Sequence, residues 1–240
     1  MLAAESPELI VVGISGAGAE FLDVGEGKQS TFSAFLHKEV VPYVEGKYRN
    51  APFRILVGHS AAGKFVMNDW LSNGSDFSSY YAISPELHNG AINSRAHAMT
   101  NERMANKSSL LVFMGKEDKR MQSVFDELRS MNTLSQHATF IQFEDQTHMR
   151  GRVNTVMAGL RGSFENRRPS KKVESGKFEV LQAHYENLSE RYGYGVDIPL
   201  ETMKRLSAFD SAPKDSERWQ NASNVVEYMR LLNHLVMSTG

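Results

Sequence analysis

Short apolar runs alternate with amphipathic segments along residues 1–164. Each run is rich in β-branched or aromatic residues and is bounded by turn-forming residues, which is typical of buried strands. Strands that alternate with helices predict an α/β fold, with a mostly parallel sheet covered by helices on both faces. The predicted strands are Leu9–Ser15, Phe53–Val57, Phe77–Ser84, Ser109–Met114 and Ala138–Phe143.

The segments between these runs have apolar residues at helical spacing. The predicted helices are Phe32–Tyr48, Lys64–Leu71, Val124–Met131 and Val153–Phe164. Pro42 lies inside the first of them, so a kink or break is expected there. The glycine-rich stretch 16–27 is expected to be a loop.

The pattern changes after residue 164, where no further strand is predicted. Residues 166–177 are basic and poor in apolar side chains, so we interpret them as a linker. Beyond them we expect helices, with Phe178–Tyr192 first and Asn224–Met237 last. The sequence therefore predicts a main domain at 1–165 and a helical extension at 178–240.

The 240 residues can form one sizeable core with a small appendage. The 27 basic residues nearly balance the 28 acidic ones, which does not favour nucleic-acid binding. No apolar run approaches the roughly 20 residues of a membrane span. Cysteine is absent, which excludes disulfides and thiolate metal sites, and no metal or cofactor is expected. The first residues lack a signal-peptide pattern, so the cytoplasm is the default location.

Candidate chemistry begins at the end of the second predicted strand, in the sequence Gly58-His59-Ser60-Ala61-Ala62-Gly63. A serine on a sharp strand-to-helix turn is how one large group of hydrolases presents a nucleophile, with small residues on both sides. Ala62 stands where the second glycine of this pattern is usual, and Gly63 follows it. An ordinary capped turn would also fit these residues when they are taken alone.

The order of later residues strengthens the catalytic interpretation. Glu117 and Asp118 follow the fourth predicted strand, and His148 follows the fifth. Parallel strands bring their carboxyl ends to one edge of the sheet, where ligands bind. A histidine can take the proton of a serine hydroxyl, and a carboxylate can orient that histidine. We expect Ser60 as nucleophile, His148 as base and Asp118 as acid, with Glu117 as the alternative.

Acyl transfer also needs donors for the developing oxyanion. The N–H of Ala61, directly after the serine, is the natural first donor. The second is expected near Ile14 and Ser15, at the end of the first predicted strand. His59 is interpreted as packing or pocket wall, because its side chain should point away from that of Ser60.

The chain resembles the α/β-hydrolase family of esterases in the order of its motifs. These are the first predicted strand, the serine turn, the loops that carry Glu117–Asp118 and His148, and the segments Tyr81–Pro85 and Val156–Leu160. That family includes enterochelin esterases, S-formylglutathione hydrolase and feruloyl esterase domains. The resemblance spans residues 9–164 and implies a serine hydrolase that acts on small-molecule carboxylic esters. His184–Gly193 is similar to a C-terminal extension of bacterial members.

The chain departs from the family pattern at Ala62 and in having only eight residues before Leu9. Family members carry further strands there, so an open sheet edge and a homodimer through that edge are hypotheses. The alternative function is a non-catalytic binding or scaffold protein that uses the helical tail. Nucleotide binding at Gly16–Gly18 is weakly supported, because the spacing fits neither common glycine motif.

Overall fold

A computed structural model describes most of the chain outside the glycine-rich segment and the C-terminal tail. The described residues are 7–15, 31–73, 76–88, 91–105, 107–150, 152–174, 177–199 and 201–203. The predicted loop at 16–27 and the predicted helix Asn224–Met237 lie outside them. The chain forms two compact units, Met1–Phe164 and Glu165–Gly240.

The first unit contains a four-stranded sheet in the order β1-β2-β3-β4, and every neighbouring pair is parallel. The predicted α/β fold is confirmed, and so are four of the five predicted strands. Their bounds are Ile55–His59 (β1), Ser79–Ile83 (β2), Ser109–Lys116 (β3) and Ala138–Thr147 (β4). All four strands therefore end at the same edge of the sheet.

The predicted strand at Leu9–Ser15 is wrong. Residues 7–15 form neither strand nor helix, and Val11 is 87% exposed. An apolar run becomes a strand only when a neighbour supplies ladder hydrogen bonds, and β1 pairs only with β2 among the described strands. Ile10 and Val12 instead line a cleft of about 510 Å³ with Tyr43 and other side chains of the helical segment before β1.

That helical segment comprises α1 (Thr31–Phe35), a π-helical turn (Leu36–Val40) and α2 (Val41–Lys47). The N–H of Val41 donates to the carbonyl of Leu36, five residues back. Pro42 follows directly and would clash with a carbonyl four residues back in a regular helix. The predicted irregularity therefore takes the form of a wider turn ahead of the proline.

Helices cover both faces of the sheet. The other helices in the described part of this unit are α3 (Ala61–Asn73), α4 (Ala91–His97), α5 (Asn101–Met104), α6 (Lys119–Ser130), α7 (Asn132–Ser135) and α8 (Arg152–Ser163). Tyr80 packs in the cluster formed with α3 and α6, whereas Tyr81 packs in the opposite cluster with α8. A Cβ on Gly159 of α8 would lie 2.6 Å from the Tyr81 ring, so this glycine permits the close contact.

The described part of the second unit is helical. It contains α9 (Lys171–Glu174) and α10 (Phe178–Tyr192), and α10 has the bounds that its apolar spacing predicts. Gly193 ends α10 with a φ of 71°, the left-handed conformation of a typical helix C-terminus. Within the described ranges, every helix is too short or too polar to cross a membrane.

Candidate active site

Ser60 lies between β1 and α3 with a φ of 58°, in the left-handed region that non-glycine residues rarely adopt. Its N–H donates to the carbonyl of Ile83 at 3.0 Å. Its own carbonyl accepts from the N–H groups of Lys64 at 3.0 Å and Glu86 at 3.1 Å. These bonds tie the turn to β2, to α3 and to the loop after β2. They hold a conformation that costs on the order of 1–3 kcal/mol.

Glycines permit the tight approach around this serine. A Cβ on Gly58 would overlap the carbonyl of Ala62, and one on Gly63 would lie 2.9 Å from the carbonyl oxygen of Ile83. Ala62 itself is only half-buried, so its methyl group fits. The positions that require glycine are 58 and 63, and the departure from the family pattern at Ala62 leaves the turn intact.

Strand register brings the acid and the histidine together. The β3–β4 ladder shifts between Met114 and Lys116, and it then pairs Lys116 with Thr147. The next residues, Glu117 and His148, therefore leave adjacent strands side by side. The Nδ1 atom of His148 lies 2.9 Å from Oε1 of Glu117. The Glu117 side chain is 6% exposed and that of His148 is 33% exposed.

Asp118 makes different contacts. Its Oδ1 accepts from the N–H groups of Arg120 at 2.9 Å and Met121 at 3.0 Å, so it caps α6. Its Oδ2 lies 2.8 Å from Nε2 of His88. Hydrogen bonds from Met121, His88 and Arg120 hold the pKa of Asp118 below its usual range. The structure thus brings His148 to Glu117, the alternative acid, and not to Asp118.

His59 joins the end of β1 to the histidine loop. Its Nε2 lies 2.8 Å from the backbone carbonyl oxygen of His148, and the two ring centroids are 4.8 Å apart. Burial lowers the pKa of His59, and the electrostatic interactions with His148 and Arg152 act in the same direction. Sequence reasoning missed this hydrogen bond, although a second histidine at a strand end was a visible signal.

The Ser60 hydroxyl and Nε2 of His148 have no hydrogen-bond partner among the described residues, and the two are not bonded to each other. The catalytic hydrogen bond of a hydrolase is often long before substrate binds. The Ser60 hydroxyl and Nε2 of His148 are therefore unbonded within the described part of the chain, and Nδ1 of His148 is held by the Glu117 carboxylate.

The two expected oxyanion donors differ in their placement. Ala61 is the first residue of α3, so its N–H is not used by the ladder of that helix. Ile14 lies in the irregular segment 7–15, and the sheet does not carry it to the edge that holds Ser60.

Among the described residues, no group of three or more histidine, aspartate or glutamate side chains could hold a metal ion.

Comparison with known proteins identifies the family. The family described as "Putative esterase" matches residues 4–165, more than half of the chain, so the chain belongs to this family. No curated protein matches it in a sequence search.

One solved structure shares the fold, and two others are similar over part of the chain. An IroE-like serine hydrolase from Shewanella oneidensis is 18% identical, with a TM-score of 0.59 over 82% of this chain and 66% of that chain. The siderophore hydrolase EstB from Aspergillus nidulans is 18% identical, with a TM-score of 0.48 over 61% and 62%. The enterobactin hydrolase IroE in complex with DFP is 28% identical, with a TM-score of 0.45 over 54% and 52%. The chain matches less than two thirds of the length of each.

Proposed function

We propose that the chain is a carboxylic-ester hydrolase with Ser60 as nucleophile, His148 as general base and Glu117 as the orienting acid. The observation that carries this proposal is the Glu117–His148 pair, which leaves Nε2 of the base open at the sheet edge that presents Ser60. Asp118 is assigned no catalytic role, because both of its oxygens are engaged by the start of α6 and by His88.

In this mechanism the Ser60 hydroxyl oxygen attacks the ester carbonyl carbon while its proton moves to Nε2 of His148. The ester carbonyl oxygen becomes an oxyanion, which the free N–H of Ala61 and the N-terminus of α3 stabilise. The alcohol departs with the proton from His148 and leaves an acyl-serine. Water then attacks the acyl carbon and loses a proton to His148. The bond from the acyl carbon to Oγ of Ser60 breaks as His148 returns that proton to Oγ, and the carboxylic acid is released.

The geometry sets two requirements on this proposal. Since Ser60 and His148 are not hydrogen-bonded in the present conformation, the serine hydroxyl has to approach Nε2 when ester binds. The second oxyanion donor, expected at Ile14, has to come from a segment that is outside the sheet. The proposed substrate class is a small-molecule ester, in keeping with family membership.

Ser60 and Ser33 offer a matched experiment. The full chain, Ser60→Ala and Ser33→Ala would be assayed with short-chain p-nitrophenyl esters and labelled with a fluorophosphonate. We expect Ser60→Ala to lose both hydrolysis, by on the order of 10⁴-fold or more, and labelling. Ser33→Ala should keep both. Folded wild-type protein that is neither active nor labelled would overturn the proposal.

The second candidate is a binding protein on the same fold, which the missing Ser60–His148 hydrogen bond favours. In that case hydrolysis and labelling would be absent in all three proteins. The circular dichroism spectrum of the wild type would nevertheless be that of a folded α/β protein.

We also propose that the chain forms a homodimer through the outer edge of β1. Val57 on this strand is 42% exposed, and β1 has a ladder partner only on its β2 side in the described part of the chain. An unpaired edge can take a strand from another chain. Light scattering that gives only the monomer mass, 26.9 kDa, across the accessible concentration range would refute it.

A further inference from the structure

We propose that His59 is a positioning residue, whose Nε2–H holds the backbone of His148 in place beside the serine turn. This inference rests on the proposed hydrolase function, in which His148 is the base. The hydrogen bond from His59 Nε2 to the His148 carbonyl oxygen is 2.8 Å long and joins two parts of the sheet edge that are distant in sequence.

Sheet order explains why such a tether is needed. β1 and β4 are the two outer strands of the order β1-β2-β3-β4, so three strand spacings separate them. At about 4.8 Å per spacing this is roughly 14 Å. His148 follows β4, whereas Ser60 follows β1, so the chain after Thr147 has to reach back over the sheet edge. His59, the last residue of β1, meets it there.

Two contacts then fix His148 at different points. Glu117 holds Nδ1 of its ring, and His59 holds its backbone carbonyl. The ring of His59 also lies against the ring of His148, with centroids 4.8 Å apart and planes tilted by 54°. One contact determines the orientation of the imidazole and the other determines the position of its backbone. Losing the His59 contact should therefore slow proton transfer more than it weakens substrate binding.

The acceptor also determines the state of His59. A carbonyl oxygen can only accept, so Nε2 of His59 has to carry a hydrogen. Burial lowers the pKa of this imidazole, so near neutral pH it is the neutral Nε2–H tautomer with a bare Nδ1. The charged or titratable groups around it are His148, Arg152 and Glu117.

The first experiment compares His59→Phe, which keeps a ring but loses the donor, with His59→Gln, which keeps an N–H donor. His97→Gln is the control, since His97 is an exposed histidine paired with Glu127. For His59→Phe we expect kcat for a p-nitrophenyl ester to fall by about tenfold with little change in KM, the effect of one lost hydrogen bond. His59→Gln should recover part of this loss.

The second experiment does not depend on activity. Long-range ¹⁵N NMR of the full chain above neutral pH should show His59 protonated on Nε2 and not on Nδ1. His59→Phe should shift the His148 ring and backbone resonances, whereas His97→Gln should leave them unchanged.

The two proposals can fail separately. Wild-type protein without hydrolysis or labelling would overturn the hydrolase function, even if NMR showed the expected tautomer. An Nδ1–H tautomer, or a folded His59→Phe with wild-type kcat, would overturn the role of His59 alone.

Discussion

The first unit contains two sets of serine, histidine and carboxylate, and they are built differently. In the site, Glu117 holds Nδ1 of His148, while Nε2 of that ring has no partner among the described residues. The second set joins the α1–α2 segment to α3. There Asp69 accepts from Ser33 at 2.7 Å and lies 2.9 Å from Nε2 of His37.

In the second set, the serine hydroxyl and both ring nitrogens of the histidine have hydrogen-bond or ion-pair partners. Nδ1 of His37 lies 2.9 Å from Asp76, so both ring nitrogens are engaged, and the Asp69 side chain is 0% exposed. The Ser33 hydroxyl is used as a donor to the carboxylate. The same residue types thus form the proposed catalytic set in one place and a hydrogen-bonded clamp in the other. The difference is whether one ring nitrogen and one hydroxyl remain open.

The largest effect that would test this contrast is the loss of activity in Glu117→Gln. An amide cannot stabilise the imidazolium and permits the wrong tautomer of His148, so we expect kcat to fall on the order of 10³–10⁴-fold. Activity on a p-nitrophenyl ester is the measurement. Fluorophosphonate labelling of Ser60 should slow in parallel.

Asp118→Asn is the matched control for that change. An asparagine side chain still caps a helix well, so α6 should persist and activity should stay near that of the wild type. If Asp118→Asn were the inactive variant and Glu117→Gln the active one, the assignment of the acid would be reversed.

The next largest effect concerns the clamp. Asp69→Ala removes a buried carboxylate and leaves His37 and Ser33 without this acceptor, so we expect the free energy of unfolding to fall by about 3 kcal/mol. Urea denaturation measures this loss. The specific activity of the remaining folded protein should be unchanged. A large fall in kcat at full folding would mean that the second set also serves catalysis.

A smaller effect is expected for Ser33→Ala, which removes the hydrogen bond from the Ser33 hydroxyl to Asp69. The expected loss of stability is about 1 kcal/mol. The urea midpoint should fall while the slope of the transition stays the same. A stability equal to that of the wild type would show that Asp69 does not need this donor.

The smallest expected effect is a pH dependence of stability through His37. Burial lowers its pKa, but the hydrogen bond and charge of Asp69 and the charge of Asp76 outweigh burial and raise the pKa above 6.5. The contribution of protonated His37 to the free energy of unfolding is therefore fully present below pH 6.5, and it is lost as the pH rises through the raised pKa. Urea midpoints from pH 6 to 9 should show this loss in the wild type but not in His37→Gln. His59, with its lowered pKa, contributes the opposite slope below pH 6.5.

Periodicity in the sequence predicts the parts of the fold that depend on local burial. β2 is buried along its whole length, and its apolar run predicts it. The segment Leu9–Ser15 has an equally strong apolar pattern but no ladder partner among the described strands, and pairing is not encoded in the run itself. Residue patterns indicate which segments are apolar, but they do not indicate which segments pair with one another as strands.

The site shows the same limit at the level of single residues. Sequence order places an acid after β3 and a histidine after β4, but Glu117 and Asp118 are adjacent and equally plausible. The register shift between Met114 and Lys116 favours Glu117, because Glu117 and His148 leave the adjacent strands side by side. A Cβ on Gly115 would lie 2.9 Å from the carbonyl oxygen of Gln146, so this glycine lets β3 and β4 run close just before the site.

The exposed apolar segment before α1 affects how the protein behaves in solution. Leu9, Ile10, Val11 and Val12 are all exposed, and Val57 is exposed on the open strand β1. The formal net charge of the chain is only −1 at pH 7, so electrostatic repulsion between molecules is weak there. We therefore expect these apolar side chains to promote association between molecules near neutral pH. Moderately alkaline buffer, in which the chain gains negative charge, should keep concentrated samples clear for longer.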